Sequence, residues 1–551
     1  MAGTKYDKQF RLNKVSYLEF KHTEMDRVLT LFFALLKNGG FPSRLLYRQK
    51  IRYTVDTFKA EFLGHPEWFE GFKDVPEHIV EKWIETHLMD VVNRGKPNQA
   101  IAAPRPLHGY TYRFRNPLHC RDFGASTHLY EVLYGADNGG NAALEHLKRF
   151  FFRGVDQNID KCDPSVTIDV ETQALLRLSD QVKSDAPDLS KRESYPPLCR
   201  GSANLLADDV IRLLVYEDFI PRTVMVEYIK ILFAFHIALY HLRLFKLLKG
   251  LTEKHGMEPV CEKCPSDPKR GEKVHGDCPY QTAIFADLVK APHSPVADLS
   301  VQSASVHYGR IIDFLKYSFT LKQLDDFATN LLKLSKIEKP EKNYFSVKEI
   351  LRLLDNKHDT ERNNYFQQRL FSLLKIMEDE EHKQEPRIQS ILDLKLDPFE
   401  TYIECLMELH GRSHQAYIVK CLDSLFLKNR SGALITQQKA KKSKRRFILD
   451  SNLLEVLLQI AVLKHGKKGF YTSEIRLEEL IDFIRDRYGI YIDRLPETDG
   501  FKETAVTDYE LLKENLKEFK KRLHEIGFYR DLSDACITQT IKPRYNIGKE
   551  Y

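Results

Sequence analysis

SNLLEVLLQIAVLKHGKKGFYTSEIRLEELIDFIRDRYG, residues 451–489, and TDYELLKENLKEFKKRLHEIG, residues 507–527, are the stretches whose reading decides the fold. Asp450 and Ser451 carry side-chain oxygens that can satisfy the free amides at the start of a helix. Behind them Leu453, Leu454, Val456, Leu457, Ile460 and Leu463 recur at helical spacing, which predicts a buried helix over 452–464 closed by His465-Gly466. Gly469-Phe470-Tyr471 has the character of a short strand. Leu477, Leu480, Ile481, Ile484 and Tyr488 predict a second helix, and Gly489 ends it, because glycine takes the left-handed conformation without steric cost. Thr507-Asp508-Tyr509-Glu510 has the form of a capping box and predicts a third helix starting at Asp508. After Gly527, Ile537, Gln539 and Ile541 alternate against Thr538, Thr540 and Lys542, the pattern of a two-stranded wing between Phe528 and Ile547. Helix, strand, two helices and a β-wing together describe a winged helix over 451–551, a fold that usually docks on DNA.

Projected down the third helix, Leu512, Leu516, Phe519, Leu523 and Ile526 form one apolar stripe, and Lys513, Lys517, Lys520 and His524 share the adjoining arc. Glu514, Glu518 and Glu525 occupy another arc. A helix fits the major groove of duplex DNA, where lysines neutralise phosphates or reach base edges. Against this, residues 451–551 hold 17 Lys and Arg and 18 Asp and Glu, so the unit has no overall positive field. A solvated amphipathic helix, or a winged helix used for protein contact, carries the same pattern. Immediately upstream, Lys439, Lys441, Lys442, Lys444, Arg445 and Arg446 fall within the ten residues 437–446. Such a run is ordinarily a solvated linker. Beside a weakly charged docking helix it would supply salt-sensitive phosphate affinity.

The most specific chemical pattern lies at 258–280. Cys261-x2-Cys264 is followed by His275-x2-Cys278, four soft or borderline ligands in two tight pairs around a polar turn. Zinc takes four such ligands tetrahedrally, and with all four supplied by protein no position remains for water or substrate, so the metal would be structural. The alternatives are an unmetallated polar loop and, less simply, a reactive thiol beside Lys263.

The remaining chain reads as mainly α, a multi-domain helical protein with a zinc-binding loop insertion and the C-terminal winged helix. A chain of 551 residues exceeds a single ordinary core. The expected parts are a mixed helical and strand region to 155, a helical domain over 156–340 carrying the zinc loop, a helical scaffold over 341–436, a basic linker over 437–450 and the winged helix. In the first part, Tyr110, Tyr112 and Phe114 alternate with Thr111, Arg113 and Arg115, which predicts a half-buried strand, or a basic and aromatic surface for nucleic acid. The apolar segment Ile229–Leu248 approaches a membrane span, but Lys230, His236, His241, Arg243 and Lys246 interrupt it, so a buried core helix is expected and no membrane contact. His236 and His241 are expected to be core residues. Gly411 is expected to break the helical segment over 399–427, which also argues against a metal at Glu404, Glu408, His410 and His414. A net charge of +6 is mild, and nine scattered cysteines argue for reduced thiols in the cytoplasm. No phosphate loop, His-Glu-x-x-His or Gly-x-Ser-x-Gly occurs, so no catalytic residue is assigned.

A long helical chain with the Cys261-x2-Cys264, His275-x2-Cys278 insertion, a basic run and a terminal winged helix resembles the accessory proteins of bacterial anti-phage defence clusters, of the methylation-associated and phosphorothioation-dependent types. The resemblance implies a cytoplasmic, non-catalytic component working beside separately encoded modification enzymes, ATPases or nucleases. The function expected is a DNA-binding or DNA-sensing subunit of a defence complex, contacting duplex DNA through Lys513, Lys517, Lys520 and the basic run. An assembly scaffold whose winged helix binds protein, and a nuclease with an unrecognised site, stand as alternatives.

Overall fold

The computed structural model describes residues 9–43, 53–65, 67, 69–89, 101–137, 139–156, 161–163, 166, 168–179, 182, 186–190, 192–257, 261, 264, 278–379, 386–440, 443–467, 469–501, 506–530 and 539–548. It is mainly helical. The first half contains α1 (Met25–Lys37), α2 (Val55–Gly64), α3 (Glu77–Trp83), α4 (Ala125–Tyr134), α5 (Gly140–Phe151), α6 (Val170–Ser179), α7 (Arg200–Leu214) and α8 (Arg222–Glu253), with a short hairpin of β1 (Val155–Asp156) and β2 (Lys161–Cys162). Next come β3 (Ile284–Phe285), α9 (Pro295–Lys333), α10 (Val347–Leu351), α11 (Asp359–Asp379), α12 (Pro386–Asp393) and α13 (Pro398–Leu425).

Three long helices, α8, α9 and α13, pack on one another as the spine. α8 is apolar on every side, and a helix with that composition must sit inside a core. Of the described helices it alone has the length and apolarity to cross a membrane, and 94% of its most apolar window is buried by the rest of the chain. His236 and His241 lie within it as expected, both buried and hydrogen-bonded to protein. α9 begins where Ser294 accepts a hydrogen bond from the Ala297 amide and Pro295 fills the first turn, the arrangement that spares an unsatisfied amide. It runs unbroken for 39 residues.

Two further expectations change. Tyr110–Phe114 is a 3₁₀ helix, Gly109–Phe114, not a strand, and every residue of it is buried. In a 3₁₀ helix side chains three apart eclipse. The Arg113 guanidinium accordingly lies 3.8 Å from the Tyr110 ring centroid and that of Arg115 lies 5.1 Å from Tyr112. The alternation of aromatic and arginine is internal stacking rather than a surface for bases. Gly411 does not break its helix either: α13 runs from Pro398 through it to Leu425. Along that helix Glu404 pairs with Lys316, Glu408 with Arg387, and the His414 ring packs edge-on to Phe10.

One cluster of buried apolar side chains runs from Phe10 to Ile541, including the interiors of α1, α8, α9, α13 and the C-terminal helices.

Candidate nucleic-acid interface

The C-terminal unit follows a hairpin of β4 (Ile435–Thr436) and β5 (Arg446–Phe447). It contains α14 (Ser451–Ala461), β6 (Leu463–Gly466), β7 (Gly469–Thr472), β8 (Ile475–Arg476), α15 (Leu477–Tyr488), β9 (Ile490–Tyr491), α16 (Val506–Glu525), β10 (Tyr529–Arg530) and β11 (Thr540–Ile541). Asp450 caps α14 by accepting from the Asn452 amide. That helix stops at Ala461, short of 464, because Leu463–Gly466 pairs with Gly469–Thr472 as an antiparallel hairpin. β11 pairs antiparallel with both β10 and β8, matching Tyr529 with Ile541 and Thr540 with Arg476, so the last strand lies in the middle of a three-stranded sheet.

Gly489 ends α15 with φ +72°, as its position suggested. Its backbone lies so close to its neighbour that a Cβ there would sit 1.8 Å from the Thr282 carbonyl oxygen. The close approach lets β9 run parallel beside β3, with Ile284 donating to the Gly489 carbonyl at 2.8 Å and Ala286 to that of Tyr491 at 3.0 Å.

α16 begins at Val506, two residues before Asp508, the start that the capping box suggested. Leu512, Phe519 and Leu523 are buried and Leu516 and Ile526 half-buried, as the stripe required. Two polar residues at the border of that stripe are buried with them. Asn515 accepts from the Leu288 amide at 2.8 Å and donates to the Ala286 and Ile492 carbonyls at 3.0 and 2.9 Å. Arg522 donates to the carbonyls of Leu288 and Leu449, and burial holds its pKa below the ordinary arginine value. Together they fasten α16 to the segments leaving β3 and β5. On its outer side Lys513, Lys517, Lys521 and His524 are exposed and Lys520 is half-buried. Glu510, Glu514 and Glu525 are exposed as well, so the outer surface carries both signs.

The basic run is not a free linker. It follows directly on β4 and ends inside β5 at Arg446, and its two arginines face inward. Arg445 holds the Asp423 carboxylate by two hydrogen bonds of 2.8 and 2.9 Å, and Lys428 and the Tyr308 hydroxyl bind the same group. Burial alone would raise the Asp423 pKa. The hydrogen bonds from Arg445 and Lys428 outweigh it and keep the carboxyl below its usual range. Arg446 pairs with fully buried Asp287 and also donates to the Ala291 and Lys290 carbonyls, both at 3.2 Å. Lys439 and Lys444 are exposed between the strands, whereas Lys441 and Lys442 lie outside the described residues.

A buried ionic cluster joins this unit to the helical core. Asp209 of α7 is fully buried and accepts hydrogen bonds from His236 Nε2 at 2.8 Å, from the Tyr488 hydroxyl at 2.9 Å and from Arg487 Nε at 2.9 Å. Burial would raise its carboxyl pKa, but the Arg487 charge and the His236 hydrogen bond bring it down to about 2. Tyr216 donates to the Gln459 carbonyl at 2.8 Å and Arg212 to that of Leu463 at 2.7 Å, tying α7 to α14 and β6 as well. Sequence reasoning passed over Asp209, Asn515 and Arg522. The one available signal was a polar residue at the edge of an apolar helical stripe.

Of the four proposed metal ligands, Cys261, Cys264 and Cys278 are half-buried, with Cys261 and Cys278 packed against the main core. His275 lies outside the described residues. Among the described residues no group of three or more His, Cys, Asp or Glu is placed to hold a metal.

These observations define a mainly helical protein whose C-terminal helix, strand, two helices and two strands share one core with the rest. The sequence matches the family described as Methylation-associated defense system protein MAD7 over residues 5–545, and the chain belongs to that family. It is therefore a bacterial defence-system protein. No curated protein and no solved structure matches it.

Proposed function

We propose that the chain is a DNA-docking subunit of its defence system and that residues 451–548 form a winged helix whose third helix, α16, meets the duplex. The observation that carries this reading is the pairing of β11 between β10 and β8 behind three helices, with Lys513 and Lys517 exposed on the third. That connectivity is the one a winged helix requires, and the lysine arc faces away from the core. Lys520, half-buried, would act at the edge of the contact. Lys439 and Lys444, with Lys441 and Lys442 between them in sequence, would add phosphate contacts. Arg445 and Arg446 are withdrawn from that role because their guanidinium groups already serve Asp423 and Asp287.

In this proposal Cys261, Cys264, His275 and Cys278 would hold a structural zinc ion. Support comes from the donor set and from the packing of Cys261 and Cys278 on the core. The purified chain should then carry one zinc per molecule by elemental analysis, lost with Cys264→Ser. The subunit would be non-catalytic and cytoplasmic, working beside the system's other proteins.

Binding to labelled duplex DNA across a salt series tests the reading. Affinity should fall steeply with salt, and replacing Lys513, Lys517 and Lys520 by Glu should remove most of it while reducing the salt slope by up to about 3. The exposed glutamates on α16 favour one second reading, a protein-binding winged helix. Absence of DNA binding, or binding untouched by the triple variant, would select it.

A further inference from the structure

A groove of about 890 Å³ lies far in sequence from α16, where the N-terminal segment crosses α9. The N-terminal segment is held by Phe10 and Val15, both buried, which leaves Gln9, Arg11 and Asn13 turned to the groove. Across from them Lys322, Asp325, Thr329 and Leu332 recur at helical spacing and present one face of α9. The remaining walls are Glu193 and Tyr195 on one side and the turn over 339–345 on the other.

The lining combines three kinds of group. Tyr195 and Tyr344 meet edge to face, with centroids 4.8 Å apart and rings at 90°, and Phe345 stands beside them. Four cations, Arg11, Lys14, Lys322 and Lys339, face two carboxylates, Glu193 and Asp325, an excess of two positive charges. Lys14 is bound to Asp325 at 2.6 Å and Lys322 to Asp326 at 2.5 Å. Lys339 is exposed, with no ion pair among the described residues, and Arg11 makes only a 3.5 Å contact with Glu19. Thr329 and Asn343 add hydrogen-bonding groups. The volume falls within the usual range for small-molecule sites.

We propose that this groove binds a nucleoside phosphate, with the base against the Tyr195 and Tyr344 side and the phosphate at Lys339 and Arg11. An aromatic wall accepts any base face, and cations at the rim, one of them exposed Lys339, accept phosphate. An acidic peptide would use the cations but has no use for the ring pair. The site shares no residue with α16, so it stands or falls separately from the DNA reading.

Equilibrium dialysis of the full chain against labelled ATP, GTP, CTP and UTP, with adenosine, inorganic phosphate and a poly-glutamate peptide as comparisons, tests it. At least one nucleotide should bind saturably, and roughly tenfold more tightly than its nucleoside or phosphate alone. Lys339→Glu and Tyr344→Leu should each weaken that binding by roughly tenfold. Lys339 is exposed and Tyr344 half-buried, so the thermal midpoint should not change with Lys339→Glu, and DNA affinity should not change with either. Retention of no nucleotide, binding indifferent to both substitutions, equal binding of bare phosphate, or capture of the peptide in place of nucleotide would each overturn the proposal.

Discussion

His128 of α4 and His241 of α8 make the fold's stability sensitive to mild acid. The two rings lie 4.8 Å apart and both side chains are buried. His241 donates from Nδ1 to the Ile237 carbonyl at 2.7 Å, which leaves Nε2 to accept from the Ser16 hydroxyl at 2.9 Å. Neither nitrogen of His128 has a hydrogen-bond partner among the described residues. Burial lowers the pKa of His241 to about 4, against the hydrogen bond to the Ile237 carbonyl that favours its charged form, and burial together with the neighbouring His241 carries that of His128 well below its ordinary value. In the unfolded chain a histidine titrates near about 6.5. The folded state therefore refuses protons that the unfolded state accepts, so the stabilisation is complete above about pH 6.5 and is lost as pH falls towards 4. For His241 the loss by pH 5 is about 2 kcal/mol. Replacing His128 by Phe removes one such group, so the pH dependence between about 6.5 and 5 should shrink by up to about 1.4 kcal/mol per pH unit, the limit reached at the acid end. At pH 7.5 the variant should be no less stable than the parent, since two unpartnered buried nitrogens disappear. Hydrogen exchange of the α4 and α8 amides at pH 7.5, 6 and 5, with calorimetric midpoints, reads both effects. A variant that loses more than about 2 kcal/mol at pH 7.5 and keeps the parent's pH dependence would refute the assignment of His128 as a neutral, unpartnered core residue.

Gly489→Ala should lower stability by at least about 2 kcal/mol, from the positive φ and the collision with the Thr282 carbonyl, and should deprotect the β3 and β9 amides in hydrogen exchange. Asp209→Asn should lower stability by less than the roughly 3–5 kcal/mol of an uncompensated buried charge, because Arg487 loses its buried carboxylate but keeps its ion pair with Asp208. Pairing Asp209→Leu with Arg487→Met should restore much of that loss in denaturant midpoint, and a double variant as unstable as the sum of its parts would argue against the coupling. In the basic hairpin, Arg445→Ala should lower the melting temperature by removing the Asp423 clamp. Lys439→Glu with Lys444→Glu should leave it unchanged and reduce DNA affinity, and the opposite ranking in a thermal scan would reverse the division of roles.

The C-terminal helices were legible because their cues are local. Gly489 ends α15 because only a residue tolerant of positive φ fits there, and the leucines of α14 and α16 follow the period of a helix whatever surrounds them. The sheet was legible only in part: alternation around Thr540 and Ile541 marked β11, with Ile537 and Thr538 outside the described residues, but nothing in a strand of two residues names β8 as the neighbour of β11. The failures share a cause. Tyr110 to Arg115 alternates like a strand, yet its aromatic and cationic groups stack three residues apart in a 3₁₀ turn, a tertiary choice that period-two reading cannot see. Gly411 looks like a helix break in isolation and is held within α13 by packing along its length. Arg445 and Arg446 read as part of a solvated charge run because their partners, Asp423 and Asp287, lie 22 and 159 residues away.

Those distant partners also constrain how the proposed DNA contact would work. A winged helix on a free basic tether can search for a duplex independently of its parent body. Here α14 is buried under α7 and α8, Asn515 and Arg522 bolt α16 to the β3 and β5 exits, and Arg487 is tied to Asp209. The lysine arc therefore has one orientation relative to α8 and α9. A duplex seated on it would meet the rest of the molecule at a fixed angle, and weakening the Asp209 cluster should loosen that angle without removing a single phosphate contact. The expected signature is specific: DNA affinity measured on short duplexes would survive Asp209→Asn, since the lysines remain. Any advantage of longer duplexes that also reach the Lys439 and Lys444 hairpin would fall, because linked contacts reinforce each other only while their spacing is held.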